Sequence, residues 1–270
     1  MSDQAQRFLD LHRPGQPLLM PNAWDAGSAR VLASLGFEAI ATTSSGFAAT
    51  LGRLDGSVTR EEAITHSAAL VSAVDVPVSA DLENAFADEP EGVAETIRMA
   101  IDAGLAGCSV EDFTGSREDP IYPFDVAVAR VAAAVEAAHA GPRRVVLTAR
   151  AENLLHGREN LNDTIARLQA FEEAGAEVLF APGLREADDI RRVVESVGRP
   201  VSVLARPGAP SVAELAELGV SRISVGGSFA FAALGALVEA ASELQERGTY
   251  GYWERTTEGI NAARSAFRRA

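Results

Sequence analysis

Three apolar runs in this sequence stop on charged residues. VPVSADLENAFA, residues 76–87, delivers Asp81 and Glu83; GCSVED, residues 107–112, delivers Glu111 and Asp112; and RVVLTAR, residues 144–150, ends in Arg150 with Glu152 two residues on. Two acids spaced i, i+2 on an extended chain point the same way. Like charges gathered in one place raise each other's pKa and destabilise a fold unless a cation compensates. Oxygen donors with no accompanying His or Cys cluster suit Mg²⁺ or Mn²⁺ better than zinc. Asp81, Glu83, Glu111 and Asp112 are therefore candidate metal-site residues, and Arg150 is a candidate grip for a carboxylate through a two-pronged hydrogen bond. The plainer readings are that Asp81 and Glu83 are solvated loop acids and that Glu111 pairs with Arg150 for structure alone.

The elements that must position these groups repeat along the chain. β-rich runs occur at 17–21, 38–44, 76–81, 107–112, 144–150, 177–182, 200–205 and 222–226. Amphipathic, alanine-rich segments such as REEAITHSAALVSAV and LNDTIARLQAFEEAGA lie between them. Eight apolar, non-alternating strands separated by helices predict a parallel sheet covered by helices. A chain of 270 residues suits a closed (β/α)8 TIM-type barrel, which needs about 250. The alternative, an open doubly wound sheet, usually has fewer strands and a glycine-rich first turn, whereas the first run here continues into PNAWDAGSAR. The expected organisation is a barrel domain over residues 1–247 and a C-terminal helical tail over 248–270, whose Tyr250, Tyr252 and Trp253 would pack on something, a second subunit included. In such a barrel the reacting groups sit where strands finish.

Bulk properties narrow the partners. A net charge of −14 disfavours nucleic acid, which requires clustered Lys and Arg. The single cysteine, Cys108, excludes an internal disulfide and reads as a core residue. No apolar run approaches the roughly 20 residues of a membrane span, and the N-terminus shows no signal-peptide core. These features lead us to expect a cytoplasmic protein with a small-molecule partner. His156 reads as a surface-loop histidine.

TSSGFAATLGRLDG, VPVSADLENAFA, GCSVEDF and VVLTARAENLL, taken in order, resemble the signature segments of the phosphoenolpyruvate mutase/isocitrate lyase family, over roughly residues 18–230. The resemblance implies a (β/α)8 barrel that binds Mg²⁺ and 2-oxo or 2-hydroxy acids. It also implies that the backbone of Ser45, Gly46 and Phe47 receives a substrate carboxylate. By the same resemblance Asp81 is the direct metal ligand, Glu83 and Glu111 are its water-mediated companions, Arg150 clamps the substrate, and Asp55 lies on a loop near the reacting group. Departures shape the expected activity. The cysteine-bearing loop of the family's carbon–carbon lyases is replaced by FTGSREDPIYPFD, the mutase lysine by Phe113, and the histidine after strand six by Ala181. The expected function is an Mg²⁺-dependent lyase cleaving or decarboxylating a small 2-oxo or 2-hydroxy carboxylic acid through an enolate. Catalysis would be shared by Asp55, Arg150 and Glu111, with Asp55 or a residue of loop 113–123 handling the proton. Alternatives are phosphonopyruvate hydrolase or phosphoenolpyruvate mutase chemistry, and a non-catalytic metal- and oxo-acid-binding barrel. A homo-oligomer is expected.

Overall fold

In the computed structural model, which describes residues 4–268, nine short parallel strands run in the order β1-β9-β8-β7-β6-β5-β4-β3-β2. β1 (Leu18–Met20) pairs with β9 (Arg222–Ser224), and β2 (Asn22–Ala23) pairs with β3 (Ile40–Thr42). Only Pro21 separates β1 from β2. Proline has no N–H to give to a ladder, but its carbonyl still accepts from Ala41 at 2.9 Å. The two pieces are one stave, and the sheet closes into an eight-stave barrel. The other staves are β4 (Val78–Asp81), β5 (Gly107–Glu111), β6 (Val146–Arg150), β7 (Val178–Phe180) and β8 (Val201–Leu204). The fold class expected from the strand count is the one observed.

Side chains alternate across each stave. Cys108, Val110, Leu147, Ala149, Leu179, Val203 and Ile223 face outward into the main core beneath the helices. Helix α5 (Pro90–Asp102) shows why that layer forms: Pro90 starts the helix, and Val93, Ala94, Ile97 and Ala100 bury one face. Cys108 is fully buried there, and burial pushes its thiol up to about 12, as suits a packing residue.

Barrels of this kind fill the lumen with bulky branched residues. Here the floor is apolar: Leu18, Val146 and Val178 meet Phe8 of α1 (Gln4–Asp10), which plugs the lower end. Gly107 makes room for that plug, because a Cβ there would lie 2.5 Å from the Phe8 ring. Above the floor the inward positions mix the polar Ser79, Ser109, Thr148, Ser202, Arg222 and Ser224 with the apolar Met20, Ala41, Phe180 and Leu204. The buried hydroxyls and the buried guanidinium of Arg222 set this lumen apart from one packed with hydrocarbon alone.

Beyond the barrel, α10 (Ser228–Ser242) buries only Ala230, while Phe231, Leu237 and Val238 are 50%, 63% and 64% exposed. A π-helical turn (Glu243–Arg247) ends at Gly248 in the left-handed region (φ 63), the conformation glycine adopts most readily. The chain then returns through α11 (Trp253–Ala266), joined to α10 by an Arg255–Glu239 ion pair at 2.7 Å. The expected tail is thus helical and carries exposed Tyr250 and Trp253; residues 1–3 and 269–270 of the expected segments lie outside the described residues. No described helix is long and apolar enough to cross a membrane.

Candidate active site

At the carboxyl ends of the staves lies a cavity of about 210 Å³, bordered by Asn22, Ser44, Ser45, Asp55, Asp81 and Arg150 at its rim and by Ser79, Ser109 and Arg222 deeper in. Arg150, the last residue of β6, organises the rim. Its Nη1 donates to Asp81 Oδ1 at 3.0 Å, its Nη2 lies 3.1 Å from Glu111 Oε2, and its Nε donates to Glu152 Oε1 at 2.8 Å. The arrangement follows from register. Glu111 lies directly opposite Arg150 across the β5–β6 ladder, and Asp81 pairs with Ser109 one stave away. All three residues have inward parity, so the guanidinium fork meets carboxylates on both sides. The cation that first relieves the repulsion among the strand-end acids is therefore a protein side chain.

The balance remains acidic. Glu83 lies close enough to Asp81 and Asp55 to feel both charges. Burial first, then those neighbours, push its carboxyl up to about 8. Burial also raises Asp55, which sits on the exposed loop after α3 (Ser44–Thr50) at the cavity rim, hydrogen-bonded to the Ser44 side chain. Glu111 is raised mainly by burial, with Arg150 opposing. Glu83 reaches this group by a backbone path that the sequence does not announce. It adopts φ 50, followed by Ala85 at 60 and Phe86 at 54, all in the region costly for residues with a Cβ. Arg130 pins the turn, with Nη2 donating to Asn84 O at 2.6 Å and Nη1 donating to Asp88 O at 2.7 Å and to Ala87 O.

Asp112 is a correction to the expected metal set. Adjacent strand residues face opposite sides, and with Glu111 inward, Asp112 turns outward. Its Oδ2 takes Arg167 Nη1 at 3.0 Å and its Oδ1 takes the Glu152 N–H at 2.7 Å. It orients Glu152 beneath Arg150 and does not border the cavity. The expected backbone cradle is also altered. Gly46 N–H donates to Thr43 Oγ1 at 3.3 Å and Phe47 N–H to Thr43 O at 3.0 Å, as in an ordinary helix start. Ser45 is the member of that trio bordering the cavity. Gly46 is needed for packing, since a Cβ there would lie 2.5 Å from Thr43 Cγ2. The loop 113–123 folds over itself, Thr114 N–H donating to Pro120 O at 2.8 Å, and Phe113 stacks on His156 at 3.9 Å. The loop histidine thereby ties two rim loops together.

Several site residues carried no assigned role in the sequence. Glu152 was visible as a strand-end acid but not as a partner of Arg150. Asn22 Nδ2 donates to Thr42 O at 2.7 Å, while its Oδ1 accepts from Ser224 Oγ at 3.0 Å, tying the first stave to its neighbours. Arg222, a charge within an apolar strand, was the signal most easily overlooked.

Could the rim hold a divalent ion? Among the described residues no three His, Cys, Asp or Glu side chains converge closely enough to hold one directly, so few direct bonds are on offer and the remainder would pass through water. The donors are oxygens, and burial first, then the charges of Asp81 and Asp55, raise the Glu83 carboxyl, so this corner of the rim is short of positive charge. Magnesium usually keeps several waters and takes one or two carboxylates, and the residues fit that mode.

A closed eight-stave barrel with acids and an arginine at its carboxyl end defines an enzyme scaffold of the TIM-barrel class. Residues 8–245 match the sequence profile of the phosphoenolpyruvate phosphomutase family, and the chain belongs to that family. It is 33% identical over 240 residues to an uncharacterized protein of Mycobacterium tuberculosis, covering 88% of this chain and 89% of that one. It is 30% identical over 211 residues to 2-methylisocitrate lyase of Escherichia coli, covering 72% and 70%. Among solved structures, a Burkholderia cenocepacia J2315 protein provisionally described as a lyase/mutase superposes with a TM-score of 0.94 at 51% identity, covering 98% of this chain and 96% of that one. The chain is thus a lyase-like member of an enzyme family.

Proposed function

We propose that this protein is an Mg²⁺-dependent lyase that breaks a carbon–carbon bond in a small 2-oxo or 2-hydroxy carboxylic acid. One observation carries the reading: Asp81 and Asp55 border the cavity rim, Glu83 lies within range of both charges, and the balancing cation there, Arg150, is already shared with Glu111 and Glu152. Asp81 would hold the ion, its Oδ2 lying beyond the Arg150 bond, with Glu83 and Glu111 acting through water. A divalent ion bound there supplies fixed positive charge opposite the oxygen that becomes electron-rich as the bond breaks.

The chain's own groups do the rest. Arg150 Nη1 donates one N–H to Asp81 and Nη2 forms an ion pair with Glu111, which leaves guanidinium N–H groups to meet a substrate oxygen. Glu152 and Asp112 lock the guanidinium plane, so these donors are oriented before substrate arrives. Ser45 offers its N–H and hydroxyl at the rim. Asp55 has a raised pKa and an exposed position, so a proton can pass between its carboxyl oxygen and the substrate or solvent. Its closeness to Asp81 also favours a second reading, hydrolysis or rearrangement of a phosphonopyruvate-type acid. Phe113 and Ala181 stand where the family's lysine and histidine would serve that chemistry.

We also propose that the exposed apolar face of α10 is covered by a second copy of the chain. Oxalate mimics the electron-rich product head, so titrating oxalate with and without Mg²⁺ tests the site. Mg²⁺-dependent binding, weakened by Asp81→Asn, is expected. Binding that ignores both Mg²⁺ and Asp81 overturns the reading. Release of inorganic phosphate from phosphonopyruvate, with no cleavage of 2-hydroxy acids, would select the second reading, and binding without turnover of any acid would mark a non-catalytic barrel.

A further inference from the structure

Arg222 opens β9 and is 2% exposed. Its parity with Ser224 sends the side chain into the lumen, below the rim. Nε donates to Ser202 Oγ at 2.9 Å and Nη1 to Thr148 Oγ1 at 3.1 Å, with His12 Nε2 at 3.4 Å from Nη1. His12 is neutral: burial and the adjacent Arg222 lower it to about 3. Its Nδ1 lies 2.9 Å from Phe8 O and must donate there, so its Nε2 is left as an acceptor facing the guanidinium. Every protein partner of Arg222 is thus uncharged, and Nη2 donates to none among the described residues.

The other charge acting on Arg222 is Arg150, a second cation. Burial first and Arg150 second depress the Arg222 guanidinium to about 9. The two guanidiniums flank one aromatic ring, with the Cζ of Arg150 5.2 Å and that of Arg222 5.9 Å from the Phe180 centroid. Both border the same cavity. A buried cation without an acid is costly and is seldom kept without a partner or ligand. A small space between two arginines, walled by Ser79 and Ser109 together with Met20, Phe180 and Leu204, attracts an anion to its cationic end. At about 210 Å³, it lies below the roughly 300–1,000 Å³ of drug-sized pockets, which limits the ligand to a few carbon atoms.

We propose that Arg222 is the subsite for the substrate's second carboxylate, with the 2-oxo or 2-hydroxy head at the Asp81–Arg150 rim and the tail carboxylate held in the lumen by Arg222, above the apolar floor. This rests on the function proposed above. Ser79 and Ser109 line the descent, and their hydroxyls replace the water the tail loses. An acid with an apolar tail of the same length leaves the guanidinium unpaired.

The test is calorimetric titration of malate, 2-hydroxybutyrate and oxalate into the full chain in excess Mg²⁺, for wild type, Arg222→Met and Arg222→Lys. Malate and 2-hydroxybutyrate share a head and differ in whether the tail ends in carboxylate or methyl. In the wild type malate binds at least about tenfold tighter, as expected for a charged hydrogen bond in a desolvated site. That preference collapses towards unity in Arg222→Met and is partly kept in Arg222→Lys, which retains the charge without the fork. A wild-type preference near unity overturns the proposal, as does a full preference in Arg222→Met. If Arg222→Met fails to fold, a Lys variant with an undiminished preference overturns it and a reduced one supports it. Oxalate has no tail to reach Arg222 and reports on the head alone. Loss of oxalate binding in the wild type sinks the head reading and the tail with it, whereas oxalate binding without a preference for malate sinks only the tail.

Discussion

Replacing Arg150 by Met removes one cation from three carboxylates while keeping a side chain of similar length. The guanidinium sits 3.0 Å from Asp81, 3.1 Å from Glu111 and 2.8 Å from Glu152, with side-chain exposures of 15% for Arg150 and 19%, 9% and 2% for the acids. Breaking a buried pair by removing one partner costs about 3–5 kcal/mol. Three such costs do not add, because the stranded acids relieve one another by taking up protons. We expect a loss of about 4 kcal/mol at pH 8, where protonation is least available, and roughly half that at pH 5.5. At about 2–4 °C per kcal/mol for a chain of this size, the melting temperature falls by about 8–16 °C at pH 8. The assay is urea unfolding followed by tryptophan fluorescence at both pH values, with a chelator present so that no divalent ion substitutes for the guanidinium. A loss below about 1 kcal/mol at pH 8, or an equal loss at both pH values, would refute the claim that Arg150 is the hub neutralising the rim.

Glu83 predicts a pH slope in the metal-free protein. Its folded pKa of about 8 lies above the ordinary 4.5, so between those values the folded state holds the extra proton. Stability then falls as pH rises through that window and levels above it. Urea midpoints across this range should show the fall in wild type, a shallower one in Glu83→Gln, and a shallower one again when Mg²⁺ stabilises the ionised carboxylate. Asp112→Ala breaks the Arg167 pair and strands a buried charge, costing about 3–5 kcal/mol in unfolding experiments. Because Asp112 faces away from the cavity, its Mg²⁺-dependent oxalate affinity should drop far less than that of Asp81→Asn; equal drops would return Asp112 to the metal set. Placing charge on α10 with Leu237→Glu and Val238→Glu, at 63% and 64% exposure, should lower the mass measured by light scattering if this face joins two copies. An unchanged oligomer would put the interface elsewhere.

The sequence alone determined the barrel and pointed to the end of it where the candidate site lies. Eight apolar runs separated by amphipathic segments are a local signal, because burial on both faces of a parallel strand and on one face of a helix imposes the pattern residue by residue. Acids at the ends of consecutive staves followed from the same count, and so did the membership of Asp81, Glu111 and Arg150 in one ring. Even the outward turn of Asp112 was legible, since alternation along an extended strand separates it from Glu111. Only the tertiary structure decided which partner each charge meets. Register across β5 and β6 sets Glu111 opposite Arg150, and a left-handed turn held by Arg130 from α6 (Phe124–His139) swings Glu83 back towards Asp81. Arg222 required the closed barrel most of all. Its isolation among Ser202, Thr148 and His12 depends on strands and a plug helix far apart in the chain. Charge energies depend on distances in space and on burial, neither of which is encoded in sequence neighbourhood.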